Sequence, residues 1–144
     1  MTINQISIFL ENKYGKLSEI LDILSKADIK IIAATVADTS EYGILRIIAN
    51  EPMKAYAVLK ENNVSVNAAE VFGIITDKSV EGLAETLSTF TKAGVSIEYM
   101  YCFAACKKNI IILRTNNREA AREVIRRQNI DYLNESDLTT LNNE

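Results

Sequence analysis

With 144 residues, 48% of them apolar and 24% charged, the chain can bury a sizeable core, as one ordinary domain or two small ones. The net charge of −3 is spread evenly, with 7 basic and 9 acidic residues in 1–71 and 9 basic and 10 acidic in 72–144, so neither half is basic enough for a nucleic-acid binder. Histidine is absent, which excludes catalysis by a Ser-His or Cys-His pair and removes the commonest metal ligand.

In chain order, a β-branched apolar run predicts a strand over 5–10, followed by a polar loop containing Gly15. Leu17, Ile20, Leu21, Leu24 and Ala27 recur at spacings of three and four, which predicts a helix with that face on the core. Asp28 ends it. Residues 29–36 read as a strand that enters a polar turn over 38–43, where Gly43 suits a positive φ, and 44–49 return from it. Asn50-Glu51-Pro52 marks a helix start, with Asn50 as N-cap, and the helix to Asn62 should bury Ala55, Tyr56 and Leu59. A strand over 64–71 then runs almost without a linker into another over 72–76.

The second half repeats this order. A helix over 83–93 turns Leu83, Leu87 and Phe90 inward, with Gly94 at its C-terminal cap. A hairpin over 97–104 and 109–114, a helix over 118–128 and a strand over 130–133 follow, and the SDLTTL segment of the polar tail is expected as a short strand or turn. A shift of 66 residues places Leu17 on Leu83, Lys26 on Lys92, Ile31 on Ile97, Asn50 on Asn116 and Ala55 on Ala121 without a gap. The reading is therefore α+β: a ferredoxin-like βαββαβ unit repeated twice, as domains 1–71 and 72–144, with antiparallel sheets and the helices on one face.

Single features carry less. Cys102 and Cys106, four apart with no histidine and no third cysteine, fall short of a metal site and read as two reduced thiols. Arg118, Arg122 and Arg126 lie on one helix face beside Arg127 and read as a solvated face paired with Glu119 and Glu123. No apolar run nears the roughly 20 residues of a membrane span, and the N-terminus has no signal-type core, so a cytoplasmic protein is expected.

The loop Asn12-Lys13-Tyr14-Gly15-Lys16-Leu17, with the helix and Ala27-Asp28-Ile29-Lys30-Ile31 after it, resembles the ACT domain. That family's signature is an Asn-x-Pro-Gly-x-Leu loop, a helix and a glycine-led step into the second strand. Ser79-Val80-Glu81-Gly82-Leu83 with Ala93-Gly94-Val95-Ser96-Ile97 looks like a second, weaker copy. Tyr14 stands where the family has proline, and in the second copy Glu81 aligns with Gly15 while the glycine has moved to Gly82. The resemblance implies a regulatory protein that binds an amino acid between ACT-like units, is no enzyme, holds no cofactor or metal, and works as a homodimer that modulates a partner enzyme. Neither nucleic acid nor membrane is an expected partner.

An amino acid needs donors for its carboxylate, an acceptor for its ammonium and an apolar wall. Gly15, Lys16 and Leu17 offer backbone N–H groups at a helix N-terminus, with Tyr14 beside them. Asn12 or Asp77 could accept the ammonium, and Ser79, Glu81, Gly82 and Leu83 form the corresponding second seat. Ala33 and Ala34 on one strand and Tyr99 and Met100 on the other supply the wall. Gly15 and Asn12 also suit an ordinary turn. Three other functions compete with this one. An acylphosphatase needs an arginine in the first loop, where this chain has none; RNA binding could use Tyr99, Tyr101 and Phe103 but lacks a basic surface. A ligand-free docking subunit stays open.

Overall fold

The computed structural model describes residues 1–11, 15–38, 41–77, 79–105 and 107–141. Its elements are β1 (Thr2–Glu11), α1 (Lys16–Lys26), β2 (Ile31–Asp38), β3 (Tyr42–Ala49), α2 (Pro52–Glu61), β4 (Val66–Thr76), α3 (Val80–Lys92), β5 (Ile97–Ala105), β6 (Lys108–Thr115), α4 (Arg118–Arg127), β7 (Tyr132–Leu133) and α5 (Asp137–Leu141). They form two compact units. One comprises Asn4–Ala69 and the segment that begins at Leu138; the other comprises Met1–Ile3 and Glu70–Asp137.

Within the first unit the strand order is β2-β3-β1-β4, and within the second β5-β6-β4-β7. Both are the antiparallel ferredoxin-like order, in which each helix crosses over one intervening strand. The strands expected at 64–71 and 72–76 are one continuous strand, β4, whose residues 66–69 serve one unit and 70–76 the other. No proline and no turn-forming pair falls between Val66 and Thr76, so the backbone has no reason to break there.

Period-two alternation builds each core. In the first unit Ile6, Ile8 and Leu10 of β1 and Leu45, Ile47 and Ala49 of β3 meet Ile20 and Leu24 of α1 and Ala55 and Leu59 of α2. In the second, Phe72, Ile74, Ile111 and Leu113 meet Phe90 of α3 and Ala121, Val124 and Ile125 of α4, with Leu83 and Leu87 partly buried against them. The inward face of α1 is narrower than its spacing suggests. Leu17 and Leu21 are 39% and 41% exposed, because Ile20 and Leu24 with half-buried Ile23 and Ala27 already cover the sheet.

All four long helices end in one motif. Asp28, Asn63, Gly94 and Asn129 take positive φ just past the cap (58°, 59°, 76° and 54°). The next N–H then reaches back across the last turn: Ile29 to the Leu24 carbonyl, Val64 to Leu59, Val95 to Phe90 and Ile130 to Ile125. This is the Schellman arrangement, and it explains why an apolar residue follows each helix: it packs on the last buried turn.

Other expectations are corrected. Asn50 does not cap α2, whose N-cap is Glu51; its side chain accepts from the Lys30 N–H at 2.9 Å, as Asn116 does from Ser96 at 3.0 Å. Tyr56 is half-buried rather than buried. Gly43 lies inside β3 without a positive φ, and a Cβ there would stand 3.0 Å from Asp38 Oδ1. The SDLTTL segment is helical, α5, and buries Leu138.

Candidate functional site

At the start of α1, Gly15 is the N-cap in the left-handed region, φ 80° and ψ 1°, with no side-chain cap bond. An added Cβ would touch nothing within 4 Å among the described residues, and the positive φ by itself favours glycine there. The N–H groups of a helix's first turn have no partners inside the helix, so α1 presents donors with a partial positive charge. Lys16 adds a full charge, and its Nζ lies 3.5 Å from Glu19 Oε2.

Beside this turn lies a cavity of about 380 Å³, within the range of roughly 300–1,000 Å³ typical of small-ligand sites. Its wall combines Phe9, Leu10 and Glu11 of β1, Lys16, then Glu41 and Tyr42 at the start of β3, and Asn63, Val64 and Ser65 after α2. The elements meet there for simple reasons. β1 delivers its last residues beside the start of β3, with Glu11 opposite Tyr42, and the cap at Asn63 turns the chain so that Ser65 O accepts the Phe9 N–H at 3.0 Å. Phe9 and Tyr42 form a tilted ring pair with centroids 6.4 Å apart.

Of the expected first-site residues, Lys16 lines this cavity and Gly15 precedes it, whereas Asn12 and Tyr14 lie outside the described residues. Leu17 is exposed on α1. Ala33 and Ala34 sit on β2 opposite Ile48 and Ile47 and are not among the cavity's lining. Phe9, Glu41, Tyr42 and Asn63 were missed. Their only sequence signal is weak: polar or aromatic residues at strand and helix ends, where chain turns converge.

The second seat is built differently. Asp77 Oδ1 accepts from both the Ser79 N–H (2.8 Å) and its hydroxyl, and Ser79 Oγ in turn caps α3 by accepting from the Gly82 N–H at 2.9 Å. These bonds hold the Asp77 carboxyl below its ordinary value. A Cβ on Gly82 would lie 2.5 Å from Asp77 Oδ1, which accounts for glycine at this position rather than at 81. Asp77, Ser79 and Gly82 are thus brought together, with the chain's own carboxylate at the helix start. Glu81 is exposed in the first turn of α3, and Leu83 packs against the core. Tyr99 and Met100 lie on β5 opposite Arg114 and Leu113, Met100 against the second core and Tyr99 half-buried.

The remaining groups are quiet. Tyr99, Tyr101 and Phe103 are all half-buried, unlike the open aromatic platform of an RNA-binding sheet. Arg122 pairs with Glu119, Arg126 and Arg127 share Glu123, and Arg118 reaches Glu70 on β4. Cys102 is on the β5 edge with its thiol pushed up by partial burial, and Cys106 lies outside the described residues. Among the described residues no group of three or more His, Cys, Asp or Glu side chains could hold a metal, and no helix is long and apolar enough to cross a membrane.

Fold and site together define a duplicated ferredoxin-like α+β protein with a glycine-capped first helix beside a cavity. The chain belongs to the ACT domain pair family, whose model matches residues 1–142. A crystallised protein from Bacteroides thetaiotaomicron is 40% identical over 98% of both chains, with a TM-score of 0.92. The regulatory subunit of aspartate kinase from Thermus thermophilus shares the fold at 17% identity, covering 86% of this chain and 91% of that one with a TM-score of 0.56. Its counterpart from Thermus flavus does so at 16% identity, 86% and 90% coverage and a TM-score of 0.56. A search of curated proteins returned no match.

Proposed function

We propose that the protein is a regulatory module that binds an amino acid and carries no chemistry of its own, with 1–71 and 72–144 as its two ACT-like halves. The observation that carries this reading is the cavity at the start of α1. It gathers Lys16 at the start of α1, the carboxylates of Glu11 and Glu41 and the Phe9–Tyr42 ring pair around one volume of small-ligand size, a mixture of both charges and apolar surface that suits a zwitterion. The family adds to it, as does the fold shared with aspartate kinase regulatory subunits. On this reading the protein is cytoplasmic, forms a homodimer and signals to an enzyme of amino-acid metabolism. The ligand sits in the first unit, since Asp77 already occupies the corresponding turn in the second.

Thermal or urea denaturation with each of the common amino acids in turn tests this. A ligand at 100 times its Kd adds about 2.7 kcal/mol, and Lys16→Ala should remove most of that gain. Absence of a shift with every amino acid refutes the reading. The alternative, a ligand-free docking subunit, draws on one observation, the exposed Leu17 and Leu21 on α1.

A further inference from the structure

We propose that the first-unit cavity selects an amino acid with an aromatic side chain, seated against the rings of Phe9 and Tyr42. This rests on the reading of that cavity as an amino-acid site. The two rings stand in its wall tilted at 51°, with centroids 6.4 Å apart, and are 44% and 43% exposed despite their size. Strand register fixes the pair before any ligand arrives. Phe9 lies opposite Ile44 and Glu11 opposite Tyr42, which makes the rings diagonal neighbours on one face of β1 and β3.

Folding does not require rings at these positions. The 66-residue shift places Ile75 on Phe9 and Lys108 on Tyr42, and the second unit makes the same strand pairing with them: Ile75 lies opposite Ile110, and Lys108 opens β6 as Tyr42 opens β3. Two open rings in the first unit therefore serve something other than the strand pairing. The rest of the wall narrows what that is. Leu10 and Val64 continue the apolar surface beside the rings. A charged side chain laid there would give up water against them, and a short aliphatic one would leave the rings uncovered. A planar ring covers Phe9 and Tyr42 in offset or edge-to-face contact, while the carboxylate of the same ligand faces Lys16.

The test is calorimetric titration of the full chain with L-phenylalanine, L-tyrosine, L-tryptophan, L-leucine, L-lysine and L-glutamate. The chain contains no tryptophan, so the emission of added L-tryptophan also reports its own transfer out of water. At least one aromatic amino acid should bind roughly tenfold tighter than leucine, lysine and glutamate, the order expected of two ring contacts beyond simple burial. Phe9→Ile, which matches Ile75 at the equivalent position, and Tyr42→Leu should each reduce that ratio to roughly threefold, one ring contact being lost. Denaturation midpoints show which variants keep the fold, and either variant alone decides. If a non-aromatic amino acid binds as tightly as the aromatic ones, or if a folded variant keeps the full ratio, the inference is overturned. Binding of none of the six, with none of the remaining common amino acids stabilising the fold, instead overturns the underlying reading and this inference with it.

Discussion

At Thr115 the two units part company. Its hydroxyl is buried, with the residue only 7% exposed and no hydrogen-bond partner among the described residues, where the corresponding residue of the first unit is Ala49. An unsatisfied buried hydroxyl is unfavourable, so Thr115→Val, which keeps the shape, should stabilise the fold by about 1 kcal/mol in urea titration. Gly82 offers a second test. Alanine in a helix is favoured over glycine by about 1 kcal/mol, but here its Cβ would displace the Asp77 carboxylate. Gly82→Ala should therefore gain stability only in an Asp77→Ala background, and additive effects would show that the two positions are uncoupled. The pH dependence has a fixed sign. Asp77 is held below its ordinary value of 3.8, so its contribution is present above that value and is lost as pH falls through the lower native one. The stability difference between wild type and Asp77→Ala should accordingly vanish in strong acid.

Among the elements, the helix ends are the most regular feature. Three of the four left-handed positions are not glycine, and an L residue there costs about 1 kcal/mol. Asn63→Gly and Asp28→Gly should each raise the denaturation midpoint by a corresponding amount, whereas Gly94→Ala should lower it. A fall with Asp28→Gly would mean that the aspartate makes a compensating contact. The repeat already placed Ile29 on Val95 and Val64 on Ile130, so these ends were legible in the sequence as equivalent positions, though not as a capping motif. Periodicity also gave the order of elements and most of the core. It misjudged Leu17 and Leu21, because spacing alone does not say how wide a helix face the sheet can cover. Asn50 was misassigned for a similar reason: its side chain suits either a cap or a bond to a neighbouring turn, and only the approach of Lys30 selects between them. The cavity was half legible. Lys16 lies on the loop that carries the motif, but Phe9, Glu41, Tyr42 and Asn63 converge from separate turns, and no local pattern announces that.

For the whole molecule, the exchange of chain ends matters most. Leu138 is fully buried and belongs with the first unit, while Met1–Ile3 belong with the second, where Thr2 Oγ1 donates to Glu70. Leu138→Ala should cost about 3 kcal/mol, far more than expected for a polar tail, and denaturation should show it directly. A cost below half a kilocalorie would mean the tail is dispensable. β4 carries a different consequence, for anyone building a biosensor from this protein. Residues 66–69 of β4 belong to the first unit and 70–76 to the second, so the seam between the repeats in the chain falls in the middle of a strand. A reporter domain spliced in at that seam would sever both units at once, whereas one spliced into the β5–β6 turn at Lys107 would leave every strand whole.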